Sequence, residues 1–103
     1  MSFTHIVLFT WSSEAERHNQ TVAKALREFT PGLEGVVSYR CGGDAGVTDT
    51  NADFAIVADF ASREAFEAYR DHPEHQRILR EEIAPHLKSK SVAQWWVTGT
   101  EAT

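Results

Sequence analysis

The segment Phe3–Trp11 constrains the fold more than any other stretch, because it is apolar on both faces that an extended chain presents. Its β-branched and aromatic residues read as a strand. Side chains alternate along a strand, so Phe3, His5, Val7, Phe9 and Trp11 point one way and Thr4, Ile6, Leu8 and Thr10 the other. With Val7 and Phe9 on one face and Ile6 and Leu8 on the opposite face, the strand needs cover on both sides.

The rest of the chain supplies cover for one side. Ser13 followed by Glu16 matches a capping box, and the helix it opens carries Val22, Ala25, Leu26 and Phe29 at i, i+3, i+4 and i+7. Pro31-Gly32 closes that helix. Val36–Cys41 reads as a second strand, the Gly-rich Cys41–Thr50 as one polar loop, and Asp53–Phe60 as a third strand with Phe54, Ile56, Ala58 and Phe60 on one face. Ser62 caps a short helix through Phe66 and Tyr69. Pro73 opens another, with the stripe Ile78, Leu79, Ile83, and Pro85 ends it. Val92–Val97 is the last strand, with Trp95 and Trp96 on opposite faces. The order βαββαβ predicts an α+β chain of ferredoxin-like type, a four-stranded antiparallel sheet with helices on one face. The other face would be a large bare apolar patch on a monomer. A homodimer with two sheets face to face is the simplest way to cover it.

Composition narrows the partners. The 103 residues suffice for one domain spanning 1–103 and one core. A formal net charge of −5 without a Lys/Arg cluster argues against nucleic acid as a partner. Apolar runs too short for a bilayer and a start unlike a signal peptide argue against a membrane. The single cysteine, Cys41, excludes an intrachain disulfide, and together these features favour the cytoplasm.

Chemistry concentrates in Tyr69-Arg70-Asp71-His72-Pro73-Glu74-His75, where Pro73 forces a helix to break. The bend aims Tyr69 from one helix and His75 from the next into one space, and a phenol with an imidazole suits proton transfer without a cofactor. His75 sits on the first turn of the second helix, where the helix dipole favours the neutral base. His5 lies among apolar neighbours on the face that meets the helices, so burial would keep it neutral. Each has a plainer reading: a core histidine for His5, a helix-capping one for His75, a core ring for Tyr69. His72, fixed before Pro73, reads as a helix-junction residue. His72 and His75 form an H-x-x-H pair, but no accompanying ligand cluster implies a metal. Cys41 lacks the basic surroundings of a nucleophile, His18 and His86 read as solvated or capping residues, and Trp11, Trp95 and Trp96 as core and interface.

The start Phe3-Thr4-His5-Ile6-Val7-Leu8-Phe9, the run Tyr69…His72-Pro73…His75, the turn Pro31-Gly32-Leu33 and the strand Ala93–Trp96 together resemble the stress-responsive A/B barrel (Dabb) family over nearly the whole chain. The resemblance implies a dimeric α+β barrel. The family includes stress-induced proteins without assigned chemistry, and the chain also resembles a plant cofactor-free polyketide cyclase. That likeness implies His75 as general base, Tyr69 as hydrogen-bond donor and His5 as a positioning group, with Val7, Phe54, Ile56 and His72 about the substrate. Phe54 stands where that cyclase has a further histidine, and Asn19, Gln20 and Ala23 where it has bulky aromatics, so a different pocket shape is implied. The expectation is therefore a dimer binding a small molecule between sheet and helices, with cyclase-like acid–base chemistry on a carbonyl and no cofactor. The alternative is a non-enzymatic stress-associated binding or assembly protein, whose space between sheet and helices would be filled. A haem-related or oxygenase role ranks below both.

Overall fold

The computed structural model describes residues 2–98. Strand β1 (Ser2–Trp11) leads to helix α1 (Ala15–Phe29), strands β2 (Val36–Gly43) and β3 (Phe54–Phe60), helices α2 (Arg63–Asp71) and α3 (Pro73–Ile78), and strand β4 (Leu87–Val97). The four strands form one antiparallel sheet in the order β2-β3-β1-β4, the ferredoxin-like arrangement that the element order predicts. Among the described residues no helix is long and apolar enough to cross a membrane.

The alternation read from the first strand sorts the core. Phe3, Val7, Phe9 and Trp11 are buried with Phe54, Ile56, Ala58 and Phe60 of β3 beneath the helices. On the opposite face the register places Ile6 beside Val57 and Ala93, and Leu8 beside Ala55 and Ser91. Among the described residues no helix covers that face, and Leu8 and Trp95 are exposed on it. Thr4 donates to Asp59, which also accepts from Ser38, so the sheet's polar groups there pair with each other.

Several local expectations change. The N-cap of α1 is Glu14, in the left-handed region at φ 51 and with no side-chain cap bond, so Ser13 and Glu16 form no capping box. The buried stripe of α1 is His18, Val22, Ala23 and Leu26, while Ala25 and Phe29 are only half-buried. Ser62 does cap α2, accepting from the Ala65 N–H at 3.0 Å. Pro85 does not stop the chain abruptly. Past α3 the coil widens into a π turn over Leu79–Ile83 and tightens into a 3-10 turn over Ala84–His86. β4 begins at Leu87 rather than Val92, since Lys90 through Ser91 pair with β1 although they are polar. His18 is buried rather than solvated, and its ring stacks on His86 with centroids 3.9 Å apart. The tryptophans divide: Trp11 is core, whereas Trp96 lies against Phe3 on the helix side of β4 yet stays 43% exposed. The helices reach over β2, β3 and β1 but leave β4 open.

Candidate functional site

Where the helices stop short of β4, a cavity of about 250 Å³ opens between the sheet and α1, α2 and α3. His5, Val7 and Phe9 of β1, Ile56 of β3, and Lys90, Val92 and Gln94 of β4 form its floor. Phe66, Tyr69, Arg70, His75, Leu79 and Ile83 close it from the other side, with Leu26 of α1. The strand period puts His5 and Val7 on this floor. The break at Pro73 turns the chain so that Tyr69 and His75 meet, ring centroids 4.3 Å apart. His5 joins them across Phe66, at 4.9 Å.

The hydrogen bonds assign tautomers. Nδ1 of His75 lies 2.9 Å from the Arg70 carbonyl oxygen, an acceptor only, so Nδ1 carries the proton and Nε2 the lone pair. Nδ1 of His5 accepts from the Gln94 amide at 2.9 Å, which leaves the proton of the neutral ring on Nε2. Burial, reinforced by His75, holds His5 down to a pKa of about 4. His75 is also lowered, chiefly by burial, against the opposing pull of its bond to Arg70. Desolvation therefore holds His75 neutral where the sequence suggested the helix dipole, and α3 is only six residues long.

Tyr69 is buried, and its hydroxyl lies 2.8 Å from the hydroxyl of Tyr39 on β2. Burial pushes Tyr69 up to about 12 against the stabilising bond from Tyr39, and raises Tyr39 further still. Either hydroxyl can donate in this pair; when Tyr39 donates, the Tyr69 O–H is left to point elsewhere. Sequence reasoning missed Tyr39, Gln94, Lys90 and Arg70. The alternation Tyr39, Cys41 toward the helices was the available signal for the first.

Two expected lining residues lie elsewhere. His72 caps α3, its Nδ1 accepting from the Glu74 N–H at 3.1 Å, and packs edge-on against Phe29. Phe54 is packed in the core beside Phe9 and Trp11, one same-face step along β3 from Ile56, and borders a separate hollow rather than this cavity. Nor do the first-helix positions shape it: Asn19 accepts from the Trp11 indole at 2.7 Å, Gln20 is exposed, and Ala23 is core. Cys41 is half-buried, and desolvation raises its thiol despite the neighbouring Arg27. A broader hollow of about 430 Å³ beside Leu8, Gly42–Ala45 and Asn51–Ala55 brings together no comparable set of acid–base groups.

The fold recurs in solved structures. A dimeric ferredoxin-like protein of unknown function from Thermobifida fusca is 34% identical, over 94% of this chain and 92% of that one, with a TM-score of 0.84. A Dabb family protein with a ferredoxin-like fold from Mesorhizobium loti is 19% identical, over 95% and 98%, with a TM-score of 0.75. The hydroxynitrile lyase from Passiflora edulis shares the fold at 15% identity, over 98% and 97%, with a TM-score of 0.77. No curated protein matches the chain. Residues 3–97 match the stress-responsive A/B barrel domain, Dabb. The chain belongs to the stress-responsive A/B barrel (Dabb) family.

Proposed function

We propose that this protein is a homodimer that binds a small carbonyl compound between sheet and helices and moves a proton on it without a cofactor. The observation that carries the reading is the convergence of His5, Tyr69 and His75 on one cavity with complementary hydrogen-bonding roles. His75, neutral and with its Nε2 lone pair free, is the general base that removes a proton next to the carbonyl. The Nε2–H of His5 and the O–H of Tyr69 are donors for the oxygen that becomes negative as the enolate forms. One base and two oriented donors suffice for the first step of an aldol-type cyclisation or an isomerisation. A polyketide-like chain is one substrate of this class. The cavity, at about 250 Å³, falls below the roughly 300 Å³ from which small-molecule sites run upward, so the portion of substrate it takes is small.

Deuterium uptake at the α-carbon of acetophenone in D₂O tests the reaction class directly. Acceleration by the native protein, with a loss of about 10²-fold or more in both Tyr69→Phe and His75→Ala, is the expected result. Equal rates in native protein and both variants sink the reading.

The dimer rests on the bare sheet face and on three similar structures described as dimeric. Trp95→Glu places a charge on that face, on its edge strand β4. It should convert the dimer to a monomer in sedimentation equilibrium, and a native protein that is already monomeric at micromolar concentration removes the proposal. The second reading, a non-enzymatic dimeric binding or assembly protein, draws on the same face and predicts ligand binding or assembly with no exchange chemistry.

A further inference from the structure

The charges about the cavity are one-sided. Among its described lining residues there is no Asp or Glu, although the chain carries a formal net charge of −5. The formally charged side chains that line it are Arg70 and Lys90. Arg70 is already paired, since its Nε and a terminal nitrogen bond both carboxylate oxygens of Asp71 at 2.8 and 3.0 Å. Its guanidinium also lies 5.9 Å over the Phe66 ring. Of the acids on the surrounding helices, Glu67 pairs with Arg63 and Glu74 and Glu81 pair with Arg77, and neither these nor the others line the cavity. Lys90 has no ion pair among the described residues.

Position gives this cation a meaning. Gln94 stands opposite His5 and Lys90 opposite Phe9, with the Val7–Val92 pair between. Four residue steps of strand lead from Lys90 to Gln94, about 13 Å along the backbone. One end of the cavity therefore holds the imidazoles and the phenol. The other end, at the mouth, holds the exposed Lys90, which has no ion pair among the described residues, and Val7, Val92, Leu79 and Ile83 lie between. A charge set against an apolar wall attracts an opposite charge more strongly than one in open water.

We propose that the ligand is a small amphipathic carboxylate, its apolar body lying along Val7 and Val92 and its carboxylate paired with Lys90, remote from the carbonyl that His75 addresses. The inference rests on reading the cavity as a ligand site. It adds Lys90 as the residue that selects acids over their neutral analogues.

A matched pair of probes, 4-phenylbutanoate and 4-phenylbutanamide, differs only in the anionic group. Each is titrated into ¹⁵N-labelled protein, and binding is followed by the amide shifts of Val7, Phe66 and Val92. The acid should bind about tenfold more tightly than the amide, the scale of one charge-assisted hydrogen bond. Lys90→Gln should abolish that preference without weakening the amide, Lys90→Arg should retain it, and Lys88→Gln should leave it unchanged. If both probes bind equally and Lys90→Gln alters neither, the carboxylate proposal is overturned while the ligand site stands. If Lys88→Gln lowers the preference as much as Lys90→Gln, general surface charge explains it and the proposal is likewise overturned. If neither probe shifts the cavity amides, the reading of the cavity falls and takes this proposal with it.

Discussion

Gly35 sits at the corner where the chain leaves α1 for β2, and its replacement by alanine separates two costs that usually arrive together. Its φ is +83, a region that a residue with a Cβ enters at a cost of about 1–2 kcal/mol. An added Cβ would also fall closer than 3 Å to the Cβ of Ala65 on α2. The corner has little freedom to retreat, because the Gly35 carbonyl accepts from the Ala61 N–H at 2.8 Å and Ser62 pins the start of α2. Forcing one methyl into such a contact costs about 1–3 kcal/mol. Gly35→Ala should therefore destabilise by about 2–5 kcal/mol, a large share of the roughly 5–15 kcal/mol that holds a domain of this size. Gly32→Ala is the built-in control. Its φ is +86 and an added Cβ meets nothing within 4 Å, so only the backbone cost applies. Ala65→Gly should relieve the contact while itself costing about 1 kcal/mol as a helix glycine. Urea denaturation followed by far-ultraviolet circular dichroism, at one fixed protein concentration, gives all four values. The coupling between Gly35→Ala and Ala65→Gly should be about 1–3 kcal/mol. If Gly35→Ala costs no more than Gly32→Ala and adds simply to Ala65→Gly, the tight approach of this corner to α2 is refuted.

Three further outcomes are expected. Ser62→Ala removes the cap of α2 and should cost about 1 kcal/mol in the same urea assay, with Ser62→Asp restoring most of it. Tyr39→Phe leaves the buried Tyr69 hydroxyl without its partner and should cost about 1–3 kcal/mol, whereas the Tyr39→Phe, Tyr69→Phe double variant should cost less than the sum of the singles. His5 and His75 titrate below the ordinary 6.5 in the folded chain, so the unfolded chain binds more protons in acid. Stability should be complete above pH 6.5 and fall as pH drops from there toward about 4, the His5 value. The slope should flatten in a His5→Gln, His75→Gln variant, and an unchanged urea midpoint for the native chain between pH 7.5 and 5 would contradict the buried neutral histidines.

The architecture was legible because strand alternation and helix breaks act locally. The two-faced pattern of Phe3–Trp11 gave the central strand, and Pro31-Gly32 and Pro73 punctuated the helices where the chain turns. What escaped were consequences of long-range placement. Lys90 and Gln94 escaped because β4 is an edge strand that the helices leave uncovered. Its apolar–polar alternation is therefore weak, and Lys88 through Ser91 look like a loop. Tyr39 escaped because its partner lies thirty residues further along the chain. His18 looked solvated on an otherwise polar stretch of α1, and only the approach of the His86 turn buries it. The capping box failed for a different reason: Glu14 takes a left-handed conformation that shifts the helix start past Ser13. Of the candidate site, the Tyr69–His75 meeting followed from the Pro73 break, whereas the exclusion of His72 and Phe54 depended on cap geometry and one step of register.

The chain has two tyrosines, and they are bonded to each other, Tyr69 lining the cavity and Tyr39 behind it. Its whole tyrosine spectrum therefore comes from one place. Ring-labelled tyrosine would give two sets of resonances with no background from elsewhere, one from the hydroxyl behind the site and one from the hydroxyl beside it. A ligand that engages Tyr69 must disturb both, because the two hydroxyls share one hydrogen bond. The protein thus carries its own occupancy gauge, which can screen compound libraries before any substrate has been named.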